Sequence, residues 1–72
     1  MRRFSREEFR LELERRGCHC VAEEDDLGTF WLGPDGRHFQ VPPPEADDRH
    51  PEFLLDDLIL HHGLPRTPRR RR

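Results

Sequence analysis

The chain has 72 residues, so it can form one small domain that buries only about 60% of the surface its unfolded form exposes. Charged residues (39%) outnumber hydrophobic ones (32%), a composition close to that of disordered chains, but the apolar residues cluster in short periodic segments, so a folded domain with charged loops is expected. The net charge of −2 hides a segregation: residues 1–16 hold six Arg and four Glu, residues 17–60 two Arg and eleven acids, and residues 61–72 five Arg and no acid, so contact with a polyanion should use the ends.

Ser5-Arg6-Glu7-Glu8 has the form of a capping box, with Phe4 and Phe9 at the hydrophobic-staple positions around it. A first helix is expected over residues 6–16, with Phe9 and Leu13 on one face and Gly17 as its stop. Cys18–Ala22 reads as a short strand followed by an acidic connection, Glu23–Asp26. Leu27–Leu32 and Arg37–Val41 read as a hairpin around Gly33-Pro34-Asp35-Gly36, because Pro presets φ and Gly accepts positive φ. Strict alternation puts Phe30 and Leu32 on one face and Trp31 on the other, while Phe39 and Val41 share a face. Pro42-Pro43-Pro44 ends the third strand, and residues 42–50 are expected to be a loop. A second helix should begin at Pro51-Glu52, bury Leu54, Leu55, Leu58, Ile59 and His62, and stop at Gly63. Phe53 and Leu60 fall nearly opposite that face, beside Asp56 and Asp57. Residues 65–72 should be a disordered basic tail on a domain spanning 1–64. No stretch is long enough to span a bilayer, and the Met-Arg-Arg start is not followed by the apolar run of a signal peptide, so a cytoplasmic protein is expected.

Three pieces of this sequence resemble the HicA family of small bacterial toxins. They are Ser5-x-x-Glu8-Phe9-x-x-x-Leu13-x-x-x-Gly17, then Pro34-Asp35-Gly36-Arg37 followed by Val41-Pro42, then Leu55-x-x-Leu58-Ile59-x-x-x-Gly63-Leu64. The resemblance spans roughly residues 5–64. It implies a double-stranded-RNA-binding-like fold, binding and cleavage of mRNA, and neutralisation by an antitoxin partner. It also implies a catalytic His in a Gly-Ser-His-like stretch just before the hairpin turn. Counting back from Pro34 puts that position at Gly28, and aligning on the glycine puts it at Phe30; no His occurs from Val21 to Arg37. Neither glycine nor a phenyl ring can move a proton, and the acidic run Glu23–Asp26 repels phosphate.

The residues themselves offer several candidate sites. His38 follows Arg37 after the turn, and an imidazole that titrates near neutrality beside a phosphate-binding Arg could replace the missing base; the competing reading is an exposed strand histidine. Trp31 could stack on a base or dock a partner if its face is open, or it could pack under the loop. Phe53 and Leu60 suggest a protein interface, unless loop or tail covers them. Arg69, Arg70, Arg71 and Arg72 could hold RNA by counterion release, or form a solvated tail. Cys18 and Cys20 could join His61 or His62 in a metal or redox site, but two cysteines are too few for a closed zinc site, and free Cys packs well in cores, so no metal and no cofactor are expected. The adjacent pairs Asp25/Asp26, Asp47/Asp48 and Asp56/Asp57 diverge in direction and read as solvating charge.

The expectation is therefore an α+β fold of order α-β-β-β-α, with a three-stranded antiparallel sheet and both helices on one face. The function expected is a HicA-like RNA-binding or toxin-antitoxin-type module whose ribonuclease activity is lost or moved to His38, and any surviving activity would be a metal-independent endoribonuclease. The alternative is a non-catalytic protein-interaction module on the same scaffold. RNA, an antitoxin-like protein and a second copy of the chain are the partners implied.

Overall fold

The capping box forms as the sequence requires. The Glu8 amide donates to the Ser5 hydroxyl at 3.2 Å, and the Ser5 amide donates to the Glu8 carboxylate at 2.8 Å. In the computed structural model, which describes residues 3–44 and 48–67, helix α1 (Arg6–Arg15) starts at this cap, preceded by a short strand, β1 (Arg3–Ser5). Phe4 and Phe9 meet edge to face, ring centroids 6.0 Å apart, and both are buried. Arg16 follows the helix and is itself buried; it pairs with Glu12 at 2.6 Å and donates to the carbonyls of Pro65 and Arg66 at 2.9 and 2.7 Å. The segment after the second helix, expected to be tail from residue 65, is thus pinned at its first two residues. Arg69–Arg72 lie outside the described residues.

Three strands follow, β2 (His19–Glu24), β3 (Gly28–Leu32) and β4 (His38–Val41), paired antiparallel in that order. Their register sorts the faces, because residues directly opposite share one. Cys20, Trp31 and Phe39 align, as do Glu23, Thr29 and Val41; on the other face stand His19, Leu32 and His38, and Ala22, Phe30 and Gln40. A bulge between Cys20 and Ala22 leaves the extra residue, Val21, exposed. The core therefore takes Trp31 rather than Phe30 and Leu32, which are half-buried on the far face. Of the two readings of Trp31 the packed one holds, which corrects its candidacy as an RNA or partner contact: the side chain is only 1% exposed, and its indole N–H donates to the Thr29 hydroxyl at 2.7 Å, so the most area is buried and the polar atom is satisfied.

The expected loop at 42–50 also needs correction. Residues Arg49–Pro51 form a strand, β5, that pairs antiparallel with β1, placing Phe4 opposite His50. Helix α2 (Glu52–His62) then buries Leu55, Leu58 and Ile59, and Gly63 closes it in the left-handed region with the Leu64 amide donating to Ile59 O at 3.1 Å. The result is an α+β fold in which a three-stranded antiparallel sheet carries both helices over one face. Phe9 and Leu13 from α1 and the α2 residues share a single core with Cys18, Trp31 and Val41. No helix among the described residues is long and apolar enough to cross a membrane.

Candidate functional site

Gly28 opens β3 with φ of +91°, and its backbone lies against the end of β4. A Cβ at this position would fall onto the carbonyl oxygen of Val41 and within 2.8 and 2.9 Å of Pro42 C and Pro43 N. Only glycine satisfies both the dihedral and the space. In the ungapped alignment this is the position of the catalytic His implied by the family resemblance, and this backbone cannot carry a histidine there. Phe30, the other alignment, sits on the face away from the helices.

Beside Gly28 opens a cleft of about 160 Å³. Phe9, Trp31, Val41 and His50 line its depth, and Pro42–Pro44 form one wall. Arg6, Glu7 and Arg10 from α1 face Glu23, Glu24 and Asp25 across its rim. Arg10 donates to Glu23 at 3.1 Å, and this bond holds its guanidinium even more firmly protonated than usual; Arg6 reaches Asp48 at 3.3 Å. His50 is 5% exposed and its ring lies tilted over Phe9, centroids 4.6 Å apart. Sequence reasoning missed His50 by assigning it to a loop. The available signal was its place before Pro51, which biases a residue toward extended backbone.

The other sequence-derived candidates lie elsewhere. Arg37 and His38 are exposed, and neither lines the cleft. His38 flanks Leu32 on the uncovered sheet face, with His19 on the other side. Phe53 and Leu60 project from α2 at 54% and 72% exposure.

At the opposite end of the sheet the β3–β4 turn is closed by three hydrogen bonds. The Gly33 amide donates to Arg37 O at 2.8 Å, the Gly36 amide to Gly33 O at 3.0 Å, and the Arg37 amide to Asp35 Oδ1 at 3.0 Å. The last of these holds the Asp35 carboxyl below the usual range, helped by His62. His62 Nδ1 lies 3.6 Å from Asp35 Oδ2, just beyond hydrogen-bond reach, and its ring packs on Phe39 with centroids 4.7 Å apart. Burial pushes the nearby Cys18 thiol up to about 11, so it is a core group rather than a nucleophile. Cys20 is half-buried and packs against the core. Among the described residues no three His, Cys, Asp or Glu side chains converge to hold a metal ion.

Compared with known proteins, the chain matches no family model, no curated protein and no solved structure.

Proposed function

We propose that the chain is a HicA-like module of the toxin-antitoxin type that works by binding a protein partner rather than by cutting RNA, with the outer stripe of α2 as its contact. The observation that carries this reading is the composition of that stripe. Phe53, Asp56, Asp57 and Leu60 follow i, i+3, i+4, i+7 spacing, and all four are exposed. Two large apolar groups bracket a pair of carboxylates, so the complementary surface is apolar with a basic residue between its anchors. The sealed Gly28 and the buried Trp31 argue in the same direction, because they leave the family's catalytic position empty of a base and take away a stacking platform.

The test is binding of the protein encoded beside this gene, followed by calorimetry. Leu60→Asp should weaken the complex by at least about tenfold, near 1.4 kcal/mol, while leaving the unfolding midpoint in place because the side chain is solvent-facing. Undiminished affinity in that variant overturns the assignment of the stripe. A second reading, RNA binding, is favoured by one observation: Arg37 and His38 are both exposed at the uncovered end of β4. It requires an affinity for RNA that falls steeply between low and moderate salt and drops further in Arg37→Gln; if the RNA is cut, His38→Ala should abolish cleavage.

A further inference from the structure

We propose that the cleft beside Gly28 receives one arginine side chain of a protein partner. The size sets the scale: about 160 Å³ is below the roughly 300 Å³ at which small-molecule pockets begin, and suits a single long side chain. The lining sets the chemistry of the stem. Phe9, Trp31 and Val41 form an apolar floor and Pro42–Pro44 an apolar wall, along which a methylene stem can lie while its charged head reaches the rim.

The rim sets the sign of the head. Two guanidiniums, Arg6 and Arg10, stand against four carboxylates, Glu7, Glu23, Glu24 and Asp25, a net of −2 from these side chains. Both guanidiniums are already engaged, Arg10 with Glu23 and Arg6 with Asp48. Glu24 and Asp25 make no ion pair among the described residues. An incoming anion would meet cations already neutralised and a surplus of negative charge, whereas an incoming cation meets open carboxylates at Glu7 as well as at Glu24 and Asp25. Guanidinium suits this place better than ammonium, since it is planar, weakly hydrated, and able to bridge carboxylates while lying against aromatic and proline surface. No residue of α2 lines the cleft, so the assignment is independent of the α2 stripe.

The experiment is a titration of the ¹⁵N-labelled full chain with capped tetra-arginine, capped tetra-lysine and inorganic phosphate in parallel at low salt. Tetra-arginine should saturate, shift the Gly28 amide and the Trp31 indole N–H, and bind more tightly than tetra-lysine. The double variant Glu24→Gln/Asp25→Asn should raise its Kd at least about tenfold, the loss expected for a charge-assisted pair. Asp56→Asn/Asp57→Asn should leave that Kd unchanged, and so should Leu60→Asp, which separates failure of the cleft from failure of the α2 contact. An equal loss in both acid-to-amide variants would mean unspecific attraction and would overturn the proposal. So would saturable binding of phosphate in place of the peptide, equal affinity for tetra-lysine, or peptide shifts confined to residues outside the cleft.

Discussion

At one end of the β2–β3–β4 sheet, β3 begins at a glycine closed in by the backbone of residues 41–43, with a charged cleft beside it and His50 beneath. At the other end the β3–β4 turn is knitted by its own amides, and Asp35, His62, Phe39 and Cys18 fill the corner. Both ends enclose an imidazole. They differ in what is left over: the turn end uses its carboxylate on a backbone amide, whereas the Gly28 end leaves Glu24 and Asp25 facing an open space. The lesson is that the turn, the more recognisable motif, commits its carboxylate to its own closure and is scaffold, whereas carboxylates at the Gly28 end stay unpaired among the described residues. Contact chemistry on this molecule is therefore expected at the Gly28 end and on α2.

The two ends each hold a positive-φ glycine, which makes the contrast measurable. Gly28→Ala adds a methyl where Val41 O already sits and should cost upwards of about 4 kcal/mol, or prevent folding, the range of changes that force backbone apart. Gly36 has open space around its missing Cβ, so Gly36→Ala should cost only the left-handed strain, about 1–2 kcal/mol. Urea unfolding of both variants checks this, and equal losses would mean that the two ends are not built differently after all. Next in size is Arg16→Ala at the turn end. It removes a buried guanidinium that ties the end of α1 to residues 65 and 66, and because its partner Glu12 is partly solvated the loss should be about 2–3 kcal/mol. A loss below half a kcal/mol would show that this closure contributes nothing to the rigidity of that end.

Much of the turn end was legible in the sequence and little of the Gly28 end was. The Gly33-Pro34-Asp35-Gly36 turn and the Gly63 stop of α2 were legible because such signals are local and a few residues specify them; the Ser5/Glu8 cap of α1 is equally local and was legible although it lies beside the cleft. The α2 stripe was readable from period alone. The faces of β3 were not: Phe30, Trp31 and Leu32 are three successive large apolar residues, so alternation separates them without saying which side is core, and the choice fell to the ring with the most area to bury. β5 escaped because a three-residue strand acquires its register only from a partner nearly fifty residues away, and His50 escaped with it. The cleft combines α1, the end of β2 and its connection to β3, β3 itself, the end of β4 with the proline run, and β5, segments that no spacing rule joins. Arg16 looked like one of several helix arginines until the chain after α2 returned to meet it.

The smallest predicted effect is a difference in sign between the carboxylates of the two ends. Asp35 has a folded-state pKa below its unfolded value, held there first by the Arg37 amide and then by His62 and Arg37 charge. Its contribution is therefore present above the unfolded carboxylate value of about 4 and is lost as pH falls through the lower folded value. Asp35→Asn keeps an oxygen for the Arg37 amide but gives up the charge, so it should be slightly less stable than wild type at pH 7, and the gap should close below pH about 4, where the wild-type carboxyl protonates. Glu24→Gln/Asp25→Asn should do the reverse at pH 7. It relieves repulsion within the run Glu23–Asp26, and no described ion pair is lost, so stability should rise slightly, the gain growing at low ionic strength. Thermal unfolding midpoints of the two variants from pH 3 to 8 decide the matter. If both variants move the same way at neutral pH, Glu24 and Asp25 are as fully engaged by the fold as Asp35 is, and the cleft has no charge left to offer an incoming guanidinium.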